Sequence, residues 1–416
     1  MEKCNPCSGQ VEKLSFKTIF LNKTMLISYL FLLLALYGIY EVFSERYFIA
    51  SANAFDAGLH PGSREVAMAM KEAVFGNGGE VKRELPWSLY IVNYMYMIYV
   101  GSGIIFIVVL AKLFHFKEIM KCAAYFLTLG LGMLLAGLFT IMMDLNILSL
   151  HWMILSPQLG SGMWLMMPLY IVYIPLVVLE IYLLLKYKGD ELKEVAWIIL
   201  ILSIVIEFVE FYIQAKLFDM NSARHLWTTY PILPFYFMLS SFVASLGIMS
   251  IHTYIKHKNN TLKLILERVT LYAIIALGAY EAIAYLFIDQ KWAQIILFGD
   301  FKYYFYLYII MTIVVPAALL FIRALNNFFK LLASISIILG TYLGKLIFVY
   351  GGNAYPMSDR FGTGFEKYSE YEQVKSVVFF MPSLGEIAIV VGSIGIILFT
   401  YTLIDRVILD KYLKNT

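Results

Sequence analysis

The chain alternates between long apolar runs and short polar connections. A transmembrane helix needs about 20 predominantly apolar residues. This pattern predicts an all-α polytopic membrane protein with about ten transmembrane helices. The predicted spans are Met25–Ser44, Pro86–Phe114, Met120–Met143, Ser161–Tyr187, Val195–Phe218, Pro231–Lys256, Glu267–Asp289, Lys302–Arg323, Phe329–Tyr350 and Ser383–Leu409.

The spans divide along the chain as one, then four, then four, then one, which predicts two four-helix bundles flanked by single helices. Two connections are long enough to fold or to dock a partner. In order, we expect a cytoplasmic tail (1–24), the first transmembrane helix (25–44), an extracytoplasmic segment (45–85), a first bundle (86–218), a second bundle (231–350), an extracytoplasmic loop (351–382), and a last transmembrane helix with a cytoplasmic tail (383–416).

Lysine and arginine in short connections indicate the orientation, because cytoplasmic loops carry an excess of these residues. Lys117 and Lys121 lie in the second-to-third connection, whereas 144–160 contains no Lys or Arg. The sixth-to-seventh connection, with Lys256, Lys258, Lys263 and Arg268, falls on the same side as Lys117. We therefore expect a multi-pass protein of the cell (plasma) membrane with both termini in the cytoplasm.

Composition supports the membrane interpretation and excludes several classes of protein. Of 416 residues, 61% are hydrophobic and 15% charged, whereas soluble domains have about 45–50% apolar and 25% charged residues. The net charge of +3 is spread out, so we expect no nucleic acid partner. Cys4 and Cys7 form a lone CxxC pair, and a structural zinc site needs four ligands. We therefore predict no metal site and no iron–sulfur cluster in this chain.

Histidine placement argues against a haem. A haem held by two histidines needs them inside helices at matched depth, and only His252 of the six histidines lies within a predicted span. The sequence also contains no Walker motif and no GxGxxG that opens a βαβ unit. We therefore predict no haem, and the chain would not carry electrons far by itself.

Ionisable residues inside spans are expensive and are functional candidates. Glu207 and Glu210 are three residues apart on the fifth span, and Gln214 follows at plus seven, which puts all three on one helical face. Two close carboxylates do not both ionise in a dry site, so the pair is a candidate for proton transfer. A solvated pair near the helix end is the alternative. Asp144 closes the third span and His151 follows in the outer connection.

Three further charged residues lie in the second half of the chain. Glu281 lies in the seventh span, Lys345 in the ninth and Glu386 early in the tenth. A buried lysine requires a carboxylate or water, so we expect Lys345 to pair with Glu281 or Glu386. Such a pair would either transfer protons or fix helix packing.

Several short segments occur in an order and spacing that resemble the NrfD/PsrC/HybB family of membrane anchor subunits, in its ten-span HybB-like branch. Each segment is only moderately specific, and together they cover the chain from about Leu85 to its end. The segments are Glu84–Ile91, Ala136–Leu145, Ser161–Trp164, His225–Pro234, Phe298–Phe301, Gly351–Tyr355 and Pro382–Glu386.

This resemblance implies a quinone-reactive anchor of a respiratory oxidoreductase, of the sulfur or polysulfide reductase or nickel–iron hydrogenase type. It implies an extracytoplasmic ferredoxin-like iron–sulfur subunit and a molybdenum or nickel–iron catalytic subunit as partners, and a menaquinone-like or other quinone as the cofactor. The implied quinone-binding positions are Tyr90, Asn93, Tyr94, Asp144, His151 and Trp164. The family resemblance and the ionisable residues inside the spans together indicate the proton-transfer positions Glu207, Glu210, Glu281, Lys345 and Glu386.

Two other functions stay open at this point. A secondary transporter would suit two bundles with buried charges, and it predicts broken helices at the membrane midplane, for which Pro175 and Pro316 are the nearest candidates. A purely structural scaffold for a soluble enzyme predicts that Glu207→Gln leaves turnover unchanged.

Overall fold

The structure, a computed structural model, describes residues 19–56, 87–144, 155–186, 193–220, 225–256, 259–288, 290–322, 326–353 and 382–409. All regular secondary structure in these ranges is helical, and nine helices are long and apolar enough to cross a membrane. With one further long helix, α5, the elements are α1 Lys23–Asp56, α2 Leu89–Leu113, α3 Ala123–Asp144, α4 Gly162–Lys186, α5 Lys193–Asp219, α6 Leu233–Lys256, α7 Asn260–Phe287, α8 Lys302–Phe321, α9 Asn327–Asn353 and α10 Leu384–Val407.

The chain is therefore an all-α protein with several candidate membrane spans. Each predicted span coincides with one of these helices to within a few residues at most ends. Helix α5 is not among the nine candidate spans, so the count of ten stays a prediction, as does the side of the membrane on which each end lies.

Two helices extend beyond their predicted spans. Helix α7 begins at Asn260, seven residues before the predicted Glu267, because the Asn259 side chain caps it by accepting hydrogen bonds from two backbone amides. Lys263 and Arg268, which we had assigned to a connection, therefore lie on the first turns of α7. Helix α1 continues to Asp56, although we had placed the start of an extracytoplasmic segment after Ser44.

Helix α2 lies at the centre of the structure. In the most apolar part of α2, 94% of the residues are buried, whereas in the corresponding part of α1 only 17% are buried. It packs against α3, α5, α6 and α9. Glycines permit the closest approaches, since a Cβ at Gly101 would lie 2.9 Å from the carbonyl oxygen of Gly130 on α3. On the α6 side, Ser241 and Ser245 donate hydrogen bonds to backbone carbonyls of α2. The two predicted bundles therefore share α2 as a common core helix.

The first and last long helices, which flank the bundles in sequence, pack against each other. A Cβ at Gly392 on α10 would lie 2.5 Å from the backbone nitrogen of Ala35 on α1, so the two backbones are in close contact. Helix α10 also contacts α2 and α3. The α1–α10 pair thus packs on α2 and α3 through α10.

Helix α8 is irregular at its centre, where Ile310–Val314 forms a π-helical segment. Pro316 follows it, and a proline ring clashes with the carbonyl four residues earlier, which widens the preceding turn. The hydroxyl of Ser336 on α9 donates to the Met311 carbonyl at 2.7 Å. Helix α4, in contrast, continues through both Pro168 and Pro175.

Candidate functional site

A cavity of about 500 Å³ lies between α2, α3, α4 and α5. It is near the end of the bundle at which α3 terminates in Asp144, called here the Asp144 end; the opposite end, where α2 terminates, is the Lys112 end. This volume is in the range of small-molecule sites. Its lining is mainly apolar and comprises Trp87, Ile91, Tyr94, Met95, Leu138, Ile141, Met142, Asp144, Met163, Met166, Met167, Tyr170, Ile171, Ile174, Pro175, Gln214, Leu217 and Phe218.

One wall of the cavity is polar and is held by connected hydrogen bonds. The Gln214 amide donates to the Tyr170 hydroxyl and to Glu210 Oε1, both at 2.8 Å. The Tyr170 hydroxyl donates to Glu210 Oε1 at 3.1 Å. The hydroxyls of Tyr94 and Tyr170 are 3.5 Å apart. These side chains are all buried, so the network forms a fixed polar surface in a pocket whose remaining lining is mainly apolar, with Asp144 at its end.

The carboxyl pair of α5 lies directly behind this wall. Glu207 and Glu210 are 1% and 0% exposed, so both are within the protein and neither is solvated at a helix end. Tyr173 on α4 donates a hydrogen bond to Glu207 Oε1. The second carboxyl oxygen of each glutamate, Oε2, has no hydrogen-bond partner among the described residues. The predicted common face of Glu207, Glu210 and Gln214 is confirmed, and it points to α4.

The cavity is bounded by both aromatic and flexible apolar side chains. Trp87 stacks on Trp227 with ring centroids 4.8 Å apart, and Phe218 packs edge-on against Trp87 at 4.7 Å. On the other side, Met142 and Met163 are each 44% exposed and Ile171 is 66% exposed. The cavity therefore opens between α3 and α4 toward the surface that the bilayer would cover.

Of the six predicted quinone-binding residues, the structure places two in the lining of the cavity. Tyr94 and Asp144 line the cavity. Asn93 instead donates hydrogen bonds to Thr140 at 2.9 Å and Ser393 at 3.2 Å, which joins α2 to α3 and α10. Tyr90 packs against Val42, Ile389 and Val390 of α1 and α10. Trp164 lies on the first turn of α4 outside the cavity lining, and His151 lies outside the described residues.

The predicted ion pair of Lys345 is not formed. Its ammonium group donates to the Ser240 hydroxyl at 2.6 Å and lies 4.4–5.0 Å from the ring centroids of Tyr99, Tyr236 and Phe237. No salt bridge between described residues includes Lys345. Aromatic rings stabilise a cation through their quadrupoles, so the three rings provide the partner that we had expected from a carboxylate.

The two carboxylates proposed for that ion pair have other partners. Glu281 accepts hydrogen bonds from Tyr230 at 2.9 Å and Tyr308 at 2.7 Å. Glu386 forms a capping box with Ser383 at the start of α10, which occupies it in helix capping. Lys345 and Glu281 are thus close enough for their charges to interact but form no salt bridge with each other, and Glu386 forms its capping hydrogen bonds with Ser383.

Sequence reasoning missed Tyr170, Trp87 and the methionines of the cavity, and it assigned no quinone role to Gln214. The signal for Tyr170 is present, because Tyr170, Tyr173 and Glu180 are separated by three and seven residues, which places them on one helical face. Among the described residues no group of three or more His, Cys, Asp or Glu side chains could hold a metal ion. Neither protein-family models nor curated proteins gave a match to this chain.

Proposed function

We propose that the chain binds a quinone or quinol in the cavity at the Asp144 end and serves as the quinone-reactive membrane subunit of a respiratory oxidoreductase. The observation that carries the proposal is an apolar cavity, open toward the bilayer, whose single polar wall leads directly to two buried carboxyl groups. An apolar pocket with a few placed polar groups suits an aromatic head group with an isoprenoid chain.

The polar wall has the chemistry that both redox states of a quinone require. An oxidised quinone offers only acceptor oxygens, so it needs donors such as tyrosine hydroxyls or an amide. The Tyr94–Tyr170 contact, at 3.5 Å, is the longest in the network, so the Tyr94 hydroxyl is the donor most easily redirected to a ligand. A quinol needs acceptors, and the Tyr170 hydroxyl, which lines the cavity and donates to Glu210, can accept from it and pass the proton to Glu210.

The two buried carboxyl groups of α5 would exchange protons with the bound quinone. Reduction of a quinone consumes two electrons and two protons, and oxidation of the quinol releases them. A general acid or base must lie within hydrogen-bond reach of the reacting oxygen, directly or through one intermediate group. Tyr170 links the cavity to Glu210, and Glu207 is one turn further along the same face. Glu207 and Glu210 would therefore accept or supply these protons.

The electrons would come from, or go to, a partner subunit. The chain resembles the NrfD/PsrC/HybB family, whose anchors dock a ferredoxin-like iron–sulfur subunit outside the membrane, joined to a molybdenum or nickel–iron enzyme. The predicted topology puts the Asp144 end on that side. Gentle purification of the tagged chain from its native membrane should bring iron–sulfur and molybdenum or nickel subunits with it.

Ligand binding by the purified chain tests the quinone site itself. Menadione, a naphthoquinone without a tail, should quench tryptophan fluorescence with saturation, because Trp87 lines the cavity. Leu138→Trp places a larger side chain in the cavity and should abolish saturable quenching. Ile275→Trp is the matched control, because Ile275 lies on α7, is 58% exposed and is not part of the cavity lining. Saturable quenching that persists in Leu138→Trp would show that menadione binds elsewhere.

The two alternatives make different predictions. A scaffold without quinone chemistry predicts that Glu207→Gln leaves quinol turnover unchanged, whereas the quinone site predicts a loss. A secondary transporter predicts broken helices in matched positions of two halves. In the described residues Pro316 adjoins a π-helical segment, but Pro175 lies in a continuous helix, so the two positions do not match.

A further inference from the structure

A buried carboxyl group on the far side of the Glu207–Glu210 pair has no part in the quinone chemistry described so far. Glu180 on α4 is 9% exposed and lies nearer to the Lys112 end. Ser203 on α5 donates a hydrogen bond to it. Lys112, in the last turn of α2, lies close enough to Glu180 for the two charges to interact. An ionisable residue inside a span is costly and is a functional candidate.

Glu180 continues the polar contact between α4 and α5 that begins at the cavity. We call this contact the α4–α5 seam. On α5 it comprises Gln214, Glu210, Glu207 and Ser203, and on α4 it comprises Tyr170, Tyr173 and Glu180. All seven are buried, with intervals of three or four residues on α5 and of three and seven residues on α4, which keep each set on one helical face. At 1.5 Å per residue, the α5 side of the seam covers about 16 Å, roughly half of the hydrocarbon thickness.

Hydrogen bonds join neighbouring members across the two helices. Gln214 and Tyr170 meet at 2.8 Å, Tyr170 and Glu210 at 3.1 Å, and Tyr173 pairs with Glu207. Ser203 pairs with Glu180 one turn beyond Glu207. The unpartnered Oε2 atoms of both α5 glutamates leave each carboxyl able to exchange a proton with a neighbour.

The outward faces of the same two helices differ sharply from the seam. They carry exposed aliphatic side chains, namely Val172, Val178 and Leu179 on α4 and Leu202 and Val205 on α5. These faces suit contact with lipid. The seven seam residues therefore lie inside the protein between α4 and α5, and they are spaced from the cavity toward the Lys112 end.

We infer that the α4–α5 seam conducts protons between the cavity and the membrane face at the Lys112 end, with Glu180 exchanging protons with water there. This inference rests on the proposed quinone function. In quinone reduction, the iron–sulfur subunit of the partner supplies two electrons one at a time, and each proton that Glu210 gives through Tyr170 is replaced from Glu207 and then from Glu180. Glu180 regains its proton from water. Quinol oxidation runs the same steps in reverse.

The α4–α5 seam would connect the two sides of the membrane. The predicted topology places the Lys112 end in the cytoplasm and the Asp144 end outside. Electrons would then reach the quinone from one side of the membrane and protons from the other. Each quinone reduction would move positive charge outward and add to the membrane potential, whereas each quinol oxidation would move it inward and consume the potential.

The test uses the full chain in lipid nanodiscs with bound menadione, which an electrode cycles between quinone and quinol. Infrared difference spectra report which carboxyl groups change protonation, a signature that a purely structural residue would not give. In Glu180→Gln one carboxyl band should disappear, and reduction of bound menadione should slow at least tenfold. Glu118→Gln is the matched control, because Glu118 lies outside the seam in a short helix between α2 and α3.

Menadione binding, measured separately by fluorescence quenching, distinguishes the possible failures. If menadione binds to Glu180→Gln as to the native chain but the spectrum and rate are unchanged, the seam is refuted and the quinone site stands. If the native chain shows no saturable binding, both proposals are refuted. Glu180→Asp keeps the carboxyl group and should restore part of the rate, which separates a proton-transfer role from a folding defect.

Discussion

Removal of the Tyr170 hydroxyl is the most direct test of the cavity's polar wall. In Tyr170→Phe, Glu210 loses a donor at 3.1 Å and Gln214 loses an acceptor at 2.8 Å, whereas the ring and its apolar contacts stay. Gln214 keeps its hydrogen bond to Glu210, so one partner of each group remains. We therefore expect a folded protein whose cavity has lost the group that links it to the carboxyl pair.

The expected effect on binding follows from hydrogen-bond energies. A buried hydrogen bond that involves a charged group contributes about 1.5–3 kcal/mol, and a neutral one about 0.5–1.5 kcal/mol. If the quinone oxygen bonds through Tyr170 or through the Tyr94 hydroxyl that Tyr170 positions, the loss is about 1–2 kcal/mol. Since 1.4 kcal/mol is a factor of ten, the dissociation constant of menadione should rise roughly 5- to 30-fold.

Tyr173→Phe provides a matched control for this variant. It removes a tyrosine hydroxyl from the same helix and the same buried face, and that hydroxyl also donates to a glutamate. Tyr173 does not line the cavity. Fluorescence titration should therefore show weaker menadione binding only for Tyr170→Phe, with comparable losses of melting temperature in both. Equal affinity for all three proteins, or an equal loss in both variants, would refute the assignment of the polar wall.

Three further predictions concern other parts of the structure. Lys345→Met should leave the melting temperature unchanged or raise it, because replacing a buried charge by an apolar side chain of similar size is often neutral or stabilising; a marked fall would show that the aromatic contacts of Lys345 hold the bundle together. Gly392→Leu should destabilise the protein by at least about 1–3 kcal/mol, since its Cβ would collide with the α1 backbone, whereas Gly278→Ala meets only a side chain at 3.3 Å and should be tolerated on thermal melting. The hydrogen bonds from Lys121 and Asn259 hold the pKa of Glu118 below its ordinary value, so the stability that they provide is present above pH 4.5 and is lost as pH falls through the lowered pKa. The free energies of unfolding of the native chain and Glu118→Gln should differ by less than about 1 kcal/mol at neutral pH, and their melting temperatures should converge in acid. A difference in melting temperature that widens in acid would contradict this.

Much of the fold could be predicted because each span depends mainly on its own residues. Backbone groups within a bilayer must be satisfied inside one segment, so a long apolar run specifies a helix with little help from its neighbours. Helix α9, predicted as Phe329–Tyr350, is found at Asn327–Asn353. The start of α7 was missed because a cap depends on one side chain, Asn259, rather than on hydropathy.

The candidate site was predictable only in part. Glu207, Glu210 and Gln214 lie on one helix, so their spacing alone placed them on one face, and the structure confirms it. The partners of Lys345 lie on α2 and α6, and no periodicity within α9 indicates them. Asn93, three residues from Tyr90 and one from Tyr94, faces α3 and α10, because helix rotation about its axis is fixed by packing.

The sequence by itself determined where the helices are and which α5 residues share a face, because these properties come from local hydrogen bonding and the helical repeat, but it underestimated the lengths of α1 and α7. Tertiary structure decided that α1 and α10 pair and that α2 packs against helices from both halves of the chain. It also decided that the α5 carboxyl groups meet tyrosines of α4 behind an open cavity. Those contacts join residues far apart in the chain, and helix packing within a membrane depends on the close fit of small and large side chains rather than on hydrophobicity.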